Sequence, residues 1–232
     1  MKKKIIAIVV VVMVVCIAVA AVFVVKNKST NISNEESGNT ATLQKTITVE
    51  DWFRVTTVSE LESYAKASKK EITFENEYAY ISDMIFADGA ADYSYRFDEN
   101  KNIDRLSIAY EIVPSTQTDE KYVMESVTED ELKTRIENTM LFVSDVLGTS
   151  IGDKFYIISG TGNILSNGET SSYREILNGT AYLETRILDV DGSVWVFEIS
   201  KMPAYDMIFC TLEHYAPDSE QAKFPCYISV AE

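Results

Sequence analysis

Residues 181–200, AYLETRILDVDGSVWVFEIS, decide the fold class. Two runs rich in β-branched and aromatic residues, Ala181 to Val190 and Ser193 to Ser200, flank Asp191-Gly192, a dipeptide favoured in tight hairpins because both residues tolerate left-handed backbone. In the second run Trp195, Phe197 and Ile199 alternate with polar or smaller residues, which predicts a strand with these three on its inward face.

The same pattern recurs upstream. Residues 92–98, DYSYRFD, place Tyr93, Tyr95 and Phe97 on one face and Asp92, Ser94 and Arg96 on the other. The turn Asp98-Glu99-Asn100-Lys101-Asn102 leads into a second alternating run carrying Leu106, Ile108, Tyr110 and Ile112. Met207 to His214 and Tyr227 to Val230 supply two further strands. Hairpins, rather than strand–helix alternation, imply an antiparallel sheet.

Two helices complete an α+β fold, packed on one face of that sheet. Thr57-Val58-Ser59-Glu60 and Thr128-Glu129-Asp130-Glu131 are each followed by leucine, and each has the Thr-x-x-Glu spacing of a capping box. After the second, Leu132, Ile136, Met140, Val143 and Leu147 fall on one helical face, and Gly148 suits the C-terminal stop. The first helix is shorter, with Leu61, Tyr64 and Ala65 facing inward. The order helix–strands, helix–strands invites a tandem reading over residues 57–113 and 128–214, although the shared residues are confined to the helix starts.

This domain, residues 47–232, follows an apolar run. Residues 5–25, IIAIVVVVMVVCIAVAAVFVV, hold no charge and no proline, and would reach about 30 Å as a helix, the thickness of a bilayer's hydrocarbon core. Lys2, Lys3 and Lys4 precede the run and Lys26 and Lys28 follow it. The bias predicts a single transmembrane helix with residues 1–4 as a cytoplasmic tip and the rest outside, in the cell membrane. Two other readings use the same residues. Ala18-Val19-Ala20 offers a small-x-small site for a cleaved secretory signal, which would release a secreted form cut after Ala20. Cys16 would be the acylated residue of a lipoprotein, but Val15 stands where a small residue is expected. The apolar stretch Val22–Val25 beyond the cleavage triplet favours the retained anchor. Residues 26–46, rich in Ser, Thr, Asn, Lys and Glu and without an aromatic residue, are expected to form a flexible linker, because they cannot bury enough apolar surface to offset their ordering entropy.

Five of the 21 basic residues lie within residues 1–28, so the portion beyond carries 16 bases and 36 acids, a formal charge of −20. Such a surface repels nucleic acid and anionic lipid headgroups. It either prefers cationic partners or is simply a solvated, self-repelling exterior.

The sequence offers no catalytic triad, no metal-ligand spacing and no cofactor fingerprint. His214 is the sole histidine, and Cys210 lies on the same strand face but about 13 Å away along the strand, too far for a hydrogen bond. Ser63-Tyr64-Ala65-Lys66 matches Ser-x-x-Lys without its companion motifs, and lies inside a helix. Ser159-Gly160-Thr161-Gly162-Asn163 lacks the third glycine and the lysine of a phosphate loop. Asp98, Asn100, Asn102 and Asp104 alternate as in a calcium loop, but Ile103 and Ala109 stand where glycine and glutamate are needed. Asp189-Val190-Asp191-Gly192 is a similar partial imitation, so both read as turns.

Two features remain. Cys210 and Cys226 are either separate buried thiols or, in an oxidising exterior, a disulfide worth roughly 3 kcal/mol. Tyr78, Tyr80, Tyr93 and Tyr95 form two same-face pairs that are either core or, if exposed, flat rings for a glycan or peptide. Together these readings lead to a membrane-anchored, non-enzymatic binding or interaction module of the cell envelope with a protein or glycan partner. The alternatives are an envelope hydrolase using carboxylates such as Glu75, Glu77 or Asp92, and a structural subunit held through a faint small-residue face at Ala7, Ala18 and Ala21. Protease added to intact cells is expected to digest the domain; protection until lysis would overturn both the exterior placement and the oxidising-compartment argument for the cysteines.

Overall fold

The alternation at residues 92–98 and 106–112 is realised as two long neighbouring strands. A computed structural model describes residues 46–119, 121–151, 155–166, 169–223 and 228–229. The helices are α1 (Val49–Phe53), α2 (Val58–Ala67), α3 (Glu129–Leu147) and α4 (Thr170–Leu177). The strands are β1 (Thr73–Glu75), β2 (Tyr78–Phe86), β3 (Gly89–Phe97), β4 (Ile103–Val113), β5 (Ser115–Gln117), β6 (Tyr122–Met124), β7 (Tyr156–Ser159), β8 (Ile164–Leu165), β9 (Ala181–Leu188), β10 (Val194–Met202), β11 (Met207–Tyr215) and β12 (Ile228–Ser229).

The main sheet runs β1-β2-β3-β4-β11-β10-β9-β7-β8 with antiparallel neighbours, and β12 pairs with β9 in parallel. β5 and β6 form a separate hairpin. The fold is therefore α+β on a mostly antiparallel sheet. Its centre is palindromic: the meander β2-β3-β4 meets the meander β11-β10-β9 at the β4–β11 pair, each preceded in the chain by a helix.

One face of this sheet is the core. Tyr93, Tyr95, Ile108, Leu183, Trp195, Phe197, Ile199, Cys210 and Leu212 are buried there with residues from all four helices. The inward placement of Trp195, Phe197 and Ile199, and of Leu132, Ile136, Met140, Val143 and Leu147 on α3, agrees with the sequence periodicity. Phe53 of α1 joins the two meanders, with its ring 6.0 Å from Tyr93 on β3 and 5.4 Å from Trp195 on β10.

The caps differ in detail from their shared motif. Thr128 and Glu131 form a complete capping box, and Gly148 closes α3 at φ 68° in the left-handed region that glycine adopts without strain. At α2, Thr57 accepts from the Glu60 amide, while the Glu60 carboxylate takes the amide of Thr56, one residue earlier.

Among the described residues four α-helices, not two, pack on the sheet, which corrects the sequence expectation. α1 spans five residues under a Thr48–Asp51 capping box, too short for a hydrophobic period to register. α4, for which the sequence reading names no helix, buries Tyr173 and Ile176 three positions apart. The hairpin after β9 also differs, because Asp189–Ser193 form its loop, closed by Asp189 N to Ser193 O at 2.9 Å and Gly192 N to Asp189 O at 3.0 Å. No helix among the described residues is long and apolar enough to cross a membrane, and the run at residues 5–25, like residues 26–45 of the linker, lies outside them.

Ile136 is fully buried in α3. Ile136→Ala is expected to cost about 2–5 kcal/mol, read as a lower urea midpoint at unchanged slope. Asn138→Ala on the exposed side of the same helix should stay within about 0.5 kcal/mol.

Candidate functional site

The face of the sheet opposite the helices is the candidate site. Strand alternation sends every second residue of β2, β3, β4, β11, β10, β9 and β7 there, and most are half-buried by one another. One row, read across the strands by register, is Asp92, Ala109, Thr211, Glu198, Glu184 and Tyr156. Beside it run Glu111, Phe209 and Ser200 in register, with Tyr182 on β9. On the other side, Ser94, Ser107, Glu213, Val196 and Arg186 follow one another. A last row holds Tyr78, Arg96, Arg105 and Tyr215.

The charges on this face are segregated. Its arginines are engaged: Arg96 donates through Nε at 2.9 Å and Nη2 at 2.8 Å to both oxygens of Asp104. Arg105 pairs with Glu213, which also accepts from the Tyr215 hydroxyl, and its guanidinium lies 5.1 Å from the Tyr215 ring centre. Arg186 donates to Glu184 and Gln221, each at 3.1 Å. Asp92, Glu111 and Glu198 have no ion pair among the described residues. Burial raises the carboxyl of Asp92 above its ordinary range against the Ser82 hydrogen bond, and the Asp83 charge adds to it. Burial does the same to Glu198, against Ser200 and with the charges of Glu184 and Glu213. Glu111 is raised by lost hydration and by Asp92.

The four tyrosines expected as one binding face divide between the two sides of the sheet. Tyr93 and Tyr95 are core residues, at 1% and 0% exposure, paired across the strands with Ile81 and Ala79. Tyr78 and Tyr80 face outward, stacked on each other at 6.1 Å and 22°. The division follows from strand pairing, which aligns odd positions of β2 with odd positions of β3. Only Tyr78 and Tyr80 belong to the candidate site.

Other singled-out residues have structural duties. Ser63 donates to the Ser59 carbonyl within α2 at 2.8 Å. Asp98 accepts from the Asn102 amide and side chain in the β3–β4 turn, and Asp104 is held by Arg96. Ser159 to Asn163 close the β7–β8 turn through Ser159 N to Asn163 O at 2.8 Å. Among the described residues, no group of three or more His, Cys, Asp or Glu is arranged to hold a metal ion. Cys210 is a free, buried thiol, and Cys226 lies outside the described residues.

A second polar cluster lies at the end of the β9–β10 hairpin. The buried Asp189 carboxylate accepts from the Trp195 indole at 3.0 Å and the Val190 amide at 2.7 Å, and pairs with Arg54. His214 stacks on Trp195 at 4.5 Å, and burial pushes its imidazole below the ordinary value against the charges of Asp191 and Asp189. Burial alone would raise Asp189, but the three donors and the Arg54 charge outweigh it and hold the carboxyl below its usual range. With both oxygens of Asp189 engaged, this cluster fastens α1 to the hairpin. Arg54 and Asp189 are 135 residues apart, so no local pattern marks their pairing.

No protein-family model matches the chain, and no curated protein or solved structure is significantly similar to it.

The two kinds of carboxylate have opposite pH signatures. Asp189, depressed in the fold, stabilises it above the unfolded value of about 3.9, and that contribution is lost as pH falls through the folded value. Asp189→Asn is thus expected to lower stability at pH 7, by a margin that shrinks in acid. Glu198, raised in the fold, costs stability once pH exceeds the unfolded value of about 4.3. Glu198→Gln is expected to be more stable than the parent at pH 7 and equal to it in acid, measured by urea unfolding across pH.

Proposed function

We propose that this protein is a membrane-anchored, non-enzymatic binding module of the cell envelope, held through residues 5–25 and presenting the face of its sheet opposite the four helices to a protein partner. The observation that carries the reading is the composition of that face. Asp92 and Glu198, half-buried, and the more exposed Glu111 beside them keep carboxylates without an ion pair among the described residues, where lost hydration and acidic neighbours disfavour their charges. A domain selected only for stability would replace or pair them; a recognition surface has reason to keep them. Aromatic rings lie among them at Tyr156, Tyr182 and Phe209, with the Tyr78–Tyr80 stack at the far side. The anchor rests on the length and flanking charge of the apolar run, and nucleic acid is excluded as a partner on the acidic balance of the remainder.

The hydrolase reading lacks a matching geometry in the residues first considered for it. Glu75 and Glu77 are exposed around the β1–β2 turn. Asp92 lies four residues along β3 from Arg96, the partner of Tyr78, which puts it about 13 Å from that end of the strand pair. Paired carboxylates that cleave glycosides stand within about 5–10 Å of one another.

Photo-crosslinking in intact cells tests the module. A photoreactive residue at Ser94 or Thr211 on the open face is expected to trap a discrete adduct that is absent when the group sits at Asn138 on α3. Adducts at Asn138 and none at the two face positions would overturn the reading.

A further inference from the structure

We infer that the sheet face opposite the helices docks a polypeptide segment bearing several lysines or arginines, whose cations settle over the row from Asp92 to Glu198. This rests on the binding-module reading above and names the chemistry of its partner.

Charge complementarity selects the occupant. The face's own cations are committed, Arg96 to Asp104, Arg105 to Glu213 and Arg186 to Glu184 and Gln221. What remains is a band of acid. Around Glu198 the charged groups on neighbouring strands are Glu184 of β9 and Glu213 of β11; around Asp92 they are Asp83 of β2 and Glu111 of β4. Each unpaired carboxylate therefore has acidic neighbours, and an incoming cation relieves both the repulsion and the lost hydration. The face offers the same ligand a second attraction. Tyr156 is in register with Glu184, and Phe209 with Glu111, so aromatic surface adjoins the acids, the pairing that receives ammonium and guanidinium groups. At longer range the formal charge of −20 beyond residue 28 steers cations toward the domain.

Spacing argues for a chain rather than a single ion. Asp92 on β3 and Glu198 on β10 are separated by three inter-strand steps, about 14 Å at 4.8 Å per step. One metal ion or one ammonium group cannot span that row, and no metal-competent cluster occurs among the described residues. An extended segment covers about 13 Å in four residues, so basic side chains at every fourth position match the separation of Asp92 and Glu198.

The test uses the full chain in detergent micelles and a fluorescent peptide with lysine at every fourth position separated by serine and glycine. Binding measured by anisotropy is expected to weaken steeply as salt rises from about 50 to 250 mM. The double variant D92N/E198Q should bind about tenfold more weakly, and T211K, which places a cation within the row, should abolish binding. E62Q/D145N, which removes two exposed acids from the helical side, should bind like the parent. Equal loss in E62Q/D145N, or equal binding of a peptide with glutamate in place of lysine, would overturn the inference. So would spermine competing as well as the peptide, because that would mark a site for small polyamines. If Ser94 and Thr211 crosslink in cells while the lysine peptide fails to bind, the binding module stands and its cationic partner falls; if neither occurs, the module itself falls.

Discussion

The pairing of β4 with β11 is the contact on which the architecture depends. It joins Arg105–Val113 to Ile208–Tyr215 across about a hundred residues of sequence, and turns two three-stranded meanders into one continuous sheet. Either meander alone would expose the edge of its last strand, with a row of unpaired amides and carbonyls. Pairing the two edges removes both, and sets Ile108 and Tyr110 beside Leu212 and Cys210 on the core side. The helices then have a single wide apolar surface to cover. Phe53 contacts both halves of it, and the Arg54–Asp189 pair beside it fixes where the short α1 lies.

Because strand pairing preserves side-chain parity, the same join that builds the core also builds the opposite face. Asp92 and Glu198, far apart in the chain and in different meanders, enter one row only because β4 and β11 carry Ala109 and Thr211 between them. The small residues at those two positions leave the acids without a bulky neighbour in the row. The arginines fall into other rows, where Arg96 is held by Asp104 and Arg105 by Glu213, while Arg186 reaches into the acid row to Glu184 and leaves Asp92 and Glu198 without a cation among the described residues. Segregation of this kind does not follow from net charge, which would be served equally well by acids scattered over the helices.

What the sequence made legible was whatever is encoded locally. The alternation of Tyr93, Tyr95 and Phe97, the spacing of Leu132, Ile136, Met140, Val143 and Leu147, and the Thr128 cap each report on a few neighbouring positions, and each has its expected place. The short helix at Val49–Phe53 has too few residues to display a period, and Thr170–Leu177 buries three positions in eight residues, one of them the polar Ser172. The tyrosines show the limit more sharply. Tyr78 and Tyr93 look alike in sequence, each in an alternating strand with a second tyrosine two positions on. Which face is the core depends on registration against β3 and β4, and that information lies in the partner strands. The carboxylate row was illegible for the same reason, since its members come from three segments between Asp92 and Glu198.

The two acidic clusters illustrate how identical side chains acquire opposite roles. Asp189 has three donors directed at it, so burial strengthens its interactions and its charge belongs to the fold. Glu198 has a serine hydroxyl and two like charges, so the same burial makes its charge a liability within the isolated chain. A liability of that kind is relieved by protonation, by a neighbouring cation, or by a ligand that brings one. The first carries no specificity and the second is missing among the described residues. The third leaves the energetic cost in place until the partner arrives, so that relief of the repulsion adds to the affinity of the encounter and is unavailable to a neutral or acidic competitor.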